Sequence, residues 1–154
     1  MELHSMLVRC GGLGFVAILM ACTTAHADQK LIRSQVPRAV LVAFARAYPR
    51  ATVRGYGLER ENGLKFYEIE SVEGGSTRDI LYRPDGAVAE IEEEVASGAL
   101  PAGAARAIEA LKPRATIRKI ERVVRGDTAR YEVHLLQGKK KSTRVFDSAG
   151  RPAN

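Results

Sequence analysis

Pro49-Arg50-Ala51-Thr52-Val53-Arg54 recurs as Pro113-Arg114-Ala115-Thr116-Ile117-Arg118, 64 residues further along the chain. Working outward from this stretch, residues 36–90 lie on residues 100–154 at the same offset without a gap. Pro37 falls on Pro101, Ala43 on Ala107, Tyr67-Glu68 on Tyr131-Glu132, Gly74 on Gly138 and Gly86 on Gly150. Apolar pairs fill the positions between them: Phe44/Ile108, Val53/Ile117, Ile69/Val133, Leu81/Val145 and Tyr82/Phe146. One fixed offset over such a length marks two copies of a single supersecondary unit.

Each copy opens with a helix. Pro37 and Pro101 suit a first helical turn, where the missing N–H is not needed. Val40, Phe44 and Ala47, or Ala104, Ile108 and Leu111, recur at i, i+4, i+7 and give one apolar face. Pro49 and Pro113 end the helices. Strands follow over Thr52 to Glu59 and Thr116 to Val124, where the three-residue spacing of Ile117 and Ile120 breaks alternation and predicts a bulge. Asn62-Gly63 and Gly126-Asp127 supply turns. In the next strand Tyr67 and Ile69, or Tyr131, Val133 and Leu135, face one side; Glu68 and Glu70, or Glu132 and His134, face the other. Gly74-Gly75 and Gly138 lead into a third strand, Ile80 to Arg83 and Arg144 to Phe146, closed in the first copy by Arg83-Pro84-Asp85-Gly86.

The first copy continues through Val88, Ala89 and Ile91 as a fourth strand, whereas the second reaches Asn154 at the equivalent place. The expected fold is α+β, a tandem helix-plus-antiparallel-hairpin repeat (αββββ-αβββ) with two helices packed on one face of an antiparallel sheet. The other face is left to solvent or a partner. The predicted division is a signal peptide over residues 1–27, a linker over 28–35, a first repeat over 36–99 and a second over 100–154.

These motifs carry a resemblance. Leu100-Pro101 before a short helix, Lys112 to Ile117, Arg130-Tyr131-Glu132-Val133, then Val145-Phe146 and Gly150, resemble the PepSY-like, β-lactamase-inhibitor-protein-like (BLIP-like) domain family of exported bacterial proteins. The first copy repeats the pattern from Val36-Pro37 to Asp85-Gly86. The resemblance implies export, stacked helix-plus-hairpin units, no catalytic residues, and a role in binding through the exposed sheet surface, as in the related inhibitor.

The leader supports export. Arg9 precedes a stretch without charge from Cys10 to Ala25, and Leu13 to Met20 is apolar over less than the roughly 20 residues of a bilayer-spanning helix. Ala25-His26-Ala27 fits a cleavage site that starts the mature chain at Asp28. Leu19-Met20-Ala21-Cys22 also resembles a lipobox, which would acylate Cys22 and make the protein an envelope lipoprotein rather than a periplasmic or secreted one. Glu2 and His4 sit oddly in a basic leader, so Met6 is a second candidate start. Both cysteines, Cys10 and Cys22, belong to this leader, so no disulfide or paired-thiol zinc site staples the mature body.

Of 154 residues, 45% are hydrophobic and 27% charged, and the net charge is +6, values of an ordinary globular chain. That charge is unevenly placed. Residues 36–95 hold eight basic and eleven acidic side chains, a net of −3, whereas residues 96–154 hold thirteen and five, a net of +8. A basic half suits an acidic protein face or an anionic envelope surface. The leader and the lack of a stacking aromatic motif argue against nucleic acid.

His134 is the only histidine after the leader, and no nucleophile-elbow motif places Ser71 or Ser142 beside it. Glu68 and Glu70, roughly 7 Å apart on one strand face, read as a solvated face repeated by Glu132 and His134. Glu92-Glu93-Glu94 could collect divalent cations, but contiguous carboxylates on a strand point to alternate faces and do not converge on one ion; edge protection is their expected role. No enzyme, cofactor or metal site is expected. Arg118, Arg130, Glu132 and His134, with Lys139, Lys140 and Lys141 at a strand tip, are the candidate interaction residues for an envelope or periplasmic protein. The competing expectation is a periplasmic small-ligand or metal-responsive sensor.

Overall fold

A computed structural model describes residues 29–153. The signal peptide, the cleavage site, the alternative start and Cys22 lie outside the described residues. The element order is β1 (Gln29–Leu31), α1 (Arg38–Ala47), β2 (Thr52–Glu61), β3 (Leu64–Glu73), β4 (Ser76–Tyr82), β5 (Val88–Glu94), α2 (Ala102–Glu109), β6 (Thr116–Arg125), β7 (Thr128–Gln137) and β8 (Lys140–Asp147). The strands form one eight-stranded antiparallel sheet in chain order.

The turns follow from local chemistry. Asn62 and Gly63 take φ of 51° and 78° between β2 and β3, the left-handed pair that a two-residue hairpin matching strand twist requires. The bulge predicted near Ile117 lies between Ile117 and Lys119, and the first copy repeats it between Val53 and Gly55. Arg54 and Arg118 are the extra residues. Pro37 and Pro101 stand one position before their helices, as N-caps rather than first-turn residues.

Both helices pack on one face. Val40 and Phe44 of α1 meet Ile69, Ile80 and Tyr82 in one buried cluster; Ala104 and Ile108 of α2 meet Ile120, Tyr131, Val133, Leu135 and Phe146 in the other. Complete burial of a side chain such as Ile69, Ile80 or Val133 contributes about 1.5–3 kcal/mol relative to exposure. Each helix is also drawn close to the turn after its third strand. A Cβ on Gly86 would lie 2.8 Å from the Ala39 carbonyl oxygen, and in the second copy one on Gly150 would lie 2.3 Å from that of Gly103. The recurring glycines thus mark backbone-to-backbone contacts.

Two expectations change. Residues 28–35 were expected as a linker, but Gln29–Leu31 pairs with Tyr56–Leu58 as β1 and Arg33–Gln35 forms a 3-10 turn. Three residues without alternation give no strand signal; a bare edge on β2 provides the pairing partner. Glu92-Glu93-Glu94 were expected to guard an edge, but β5 is an interior strand, bonded to β4 on one side and β6 on the other. The β5–β6 pairing is what joins the two copies into one sheet.

Candidate functional site

The sheet face turned away from the helices carries charge across its centre. Register sets three neighbouring rows. Asp79, Glu92, Val123 and Arg130 lie side by side across β4 to β7; Glu94, Glu121 and Glu132 form the next row; Lys119, His134 and Thr143 form the third. On β3, Glu68 and Glu70 lie over Gly57 and Gly55, where a Cβ would come within 2.6 Å and 3.0 Å of their carboxylate oxygens. Those glycines leave room for acidic side chains to lie along the sheet.

Cations from the second copy reach into this acidic field. Glu121, only 5% exposed, takes Lys119 Nζ at 2.6 Å on one oxygen and His134 Nε2 at 2.7 Å on the other. A carboxylate can only accept, so the His134 Nε2–H donates. Glu90, also 5% exposed, takes Arg125 at 2.8 Å and Arg130 at 3.5 Å, and Arg130 lies 3.7 Å from Glu132. Pairing of this kind is what permits a carboxylate to be buried. Arg125 is bonded to Glu61 as well as Glu90, and those bonds raise its pKa. Burial is the largest single influence and works against the Lys119 ammonium, but the bond to Glu121 together with the charges of Glu121, Asp79 and Glu94 overcomes it and raises the pKa too.

Asp79, Glu92 and Glu121 come from three different strands and place a carboxylate oxygen each within 4.8 Å of one another. Crowding of like charges shows in their protonation. Burial first, then Glu121, Glu90, Glu132 and Asp79, push the Glu92 carboxyl up to about 7. Burial and Glu70 raise Asp79 while Lys119 opposes them. This grouping was not visible in Glu92-Glu93-Glu94 alone, because Glu92 finds its companions across strands and not along one. Hard oxygen donors so arranged suit a divalent cation, although Lys119 already supplies one positive charge nearby.

The sequence candidates divide by position. Arg130, Glu132 and His134 share the uncovered face, as alternation predicts. Arg118, the bulge residue, joins Lys119, His134, Leu136, Lys141 and Thr143 around a cavity of about 590 Å³ at the corner where β6, β7 and β8 meet. Lys139 sits in the β7–β8 turn, while Lys140 and Lys141 lie within β8, so the lysine run straddles the tip rather than forming it. Of the three lysines in that run, Lys141 alone lines the cavity.

No nucleophilic pair forms at His134. Ser71 is buried on the helix side and donates its hydroxyl to the Arg78 carbonyl at 3.1 Å. Thr143, not a serine, is nearest to the His134 Nδ1, at 3.4 Å, longer than an activated hydroxyl contact.

An open antiparallel sheet with both helices on one side and a charged, uncovered opposite face defines an α+β protein of the BLIP-like fold. No protein-family model matches the sequence, and no curated protein matches it. Solved structures do. A Bacteroides eggerthii protein described as periplasmic matches with a TM-score of 0.64 at 16% identity, over 77% of this chain and 86% of that one. A DUF2874 family protein from Bacteroides uniformis gives 0.61 at 14%, over 77% and 86%. A BLIP-like protein from Bacteroides fragilis gives 0.57 at 18%, over 77% and 84%. At such identities the likeness is one of fold.

Proposed function

We propose that the protein is an exported, non-enzymatic binding module whose uncovered sheet face engages a protein of the bacterial envelope. The observation that carries this reading is the preorganised charge on that face: Glu90 and Glu121 are buried yet paired, and they hold Arg125, Arg130, Lys119 and His134 in place. Positioned charges of both signs favour orientation and selectivity toward a complementary protein surface. The BLIP-like and periplasmic descriptions of the similar structures support a binding role and an envelope location by analogy.

The test is capture from envelope extract with a charge-reversed face. Arg130→Glu with Glu132→Lys should abolish capture of the partner, while Arg106→Glu on the exposed side of α2 should not. Equal capture by all three proteins would overturn the reading. Intact mass of the protein recovered from cells separates a free chain starting at Asp28 from one acylated at Cys22.

A metal-responsive sensor is the second reading, favoured by the grouping of Asp79, Glu92 and Glu121. A rise in melting temperature with calcium concentration that Glu92→Gln removes would support it; a flat response would sink it.

A further inference from the structure

The internal repeat shows what belongs beside β8. At the 64-residue offset Lys141 takes the place of Thr77, Ser142 of Arg78, Thr143 of Asp79 and Arg144 of Ile80. In the first copy the outer side of β4 is occupied by β5, whose sequence is Val88-Ala89-Glu90-Ile91-Glu92-Glu93-Glu94. There Thr77 donates to Glu94 at 3.0 Å, Arg78 is paired with Glu93, and Asp79 stands opposite Glu92. Beside β8, among the described residues, the chain returns as a bridge between Phe146 and Pro152, with the Asp147 N–H bonded to the Arg151 carbonyl at 2.9 Å and the Ala153 N–H to the Val145 carbonyl at 3.0 Å. The edge from Lys140 to Arg144 is left without a strand.

That edge is the mirror in charge of what occupies its counterpart. Lys140, Lys141 and Arg144, together with Arg118, enter no ion pair among the described residues. Lys141 and Arg118 also line the cavity at the corner, whose volume of about 590 Å³ falls within the range of about 300–1,000 Å³ of ligand sites. An unpaired strand edge offers main-chain donors and acceptors to an extended segment, and flanking side chains select its sequence.

We propose that the β8 edge between Lys140 and Arg144 receives an extended acidic segment of a partner protein as a ninth, antiparallel strand. Alternate carboxylates of that segment meet Lys141 and enter the cavity beside Arg118. The incoming segment is the chemical counterpart of β5: acidic residues at alternate positions with an apolar residue between them. This inference rests on the reading of the protein as a protein-binding module and adds the chemistry of the partner.

The probe is a capped peptide with the sequence of residues 87–95, titrated into the isotope-labelled protein and followed by amide chemical shifts. Shifts concentrated at residues 140–144, Arg118 and His134 support the proposal. Arg118→Glu with Lys141→Glu should then weaken binding about tenfold or more, whereas Lys139→Glu, in the turn outside the cavity, should change it by less than about twofold. The same peptide with its four glutamates replaced by lysine should produce no shifts. Equal weakening by Lys139→Glu would show diffuse attraction and overturn the edge site. So would absence of peptide binding, which would leave the lysines as guards against edge pairing, or binding of phosphatidylglycerol vesicles without binding of the peptide. Failure here leaves capture through Arg130 and Glu132 to be decided by its own variants.

Discussion

Glu121 and His134 are joined across β6 and β7 by a 2.7 Å hydrogen bond, and the far oxygen of the same carboxylate holds Lys119 at 2.6 Å. The carboxylate is buried while both of its partners are more than a third exposed. Its stability therefore depends on them. Lys119→Met combined with His134→Leu should lower unfolding free energy by about 2 kcal/mol, since a buried charge loses its partners at a partly wet site. Adding Glu121→Leu should restore part of that loss. Urea denaturation of the double and triple variants measures both; a triple variant less stable than the double would contradict the pairing argument.

Glu92 gives the protein a pH response. A glutamate titrates near 4.5 when unfolded, and the folded Glu92 is pushed up to about 7 by burial and by Glu121, Glu90, Glu132 and Asp79. Between those values the folded chain binds more protons than the unfolded chain, so this group's contribution falls as pH rises. Melting temperature should decline from pH 5 to pH 8 more steeply in the native protein than in Glu92→Gln. Parallel profiles for the two proteins would refute it.

Gly103 is closed in by the turn after β8: a Cβ there would lie 2.4 Å from the Ala149 carbonyl carbon. Backbone on one side and a helix on the other cannot yield cheaply. Gly103→Ala should cost about 1–3 kcal/mol by overpacking, although alanine favours helix elsewhere. Thermal unfolding decides the sign.

Tyr82 is 1% exposed, and its hydroxyl has no hydrogen-bond partner among the described residues. Burial pushes the phenol's pKa upward. Tyr82→Phe removes an unpaired polar atom without changing the ring, so stability should stay the same or rise. A clear drop in the urea midpoint would reveal a bond that the static arrangement does not show.

The repeat, the two helices and the turns were legible in the sequence because each is written in neighbouring residues and written twice, and the bulge of the second copy was legible in the spacing of Ile117 and Ile120. Alternation alone placed Glu132 and His134 on the uncovered face. What sequence could not convey was lateral proximity. Lys119, Glu121 and His134, or Asp79, Glu92 and Glu121, meet only when the registers of β4 to β7 are known. The same gap put Glu92-Glu93-Glu94 at an edge: nothing local to β5 announces that β6, beyond an intervening helix, will pair with it.

That seam between β5 and β6 has a further consequence. Separated at the seam, β1 to β5 and β6 to β8 would present four raw strand margins, each open to unwanted pairing with other chains. Fused through the seam they present two, among the described residues. One is finished by three residues of β1, and the other is fenced with lysine along its open half. Duplication has thereby reduced the protein's exposure to misassociation while keeping one margin chemically distinctive.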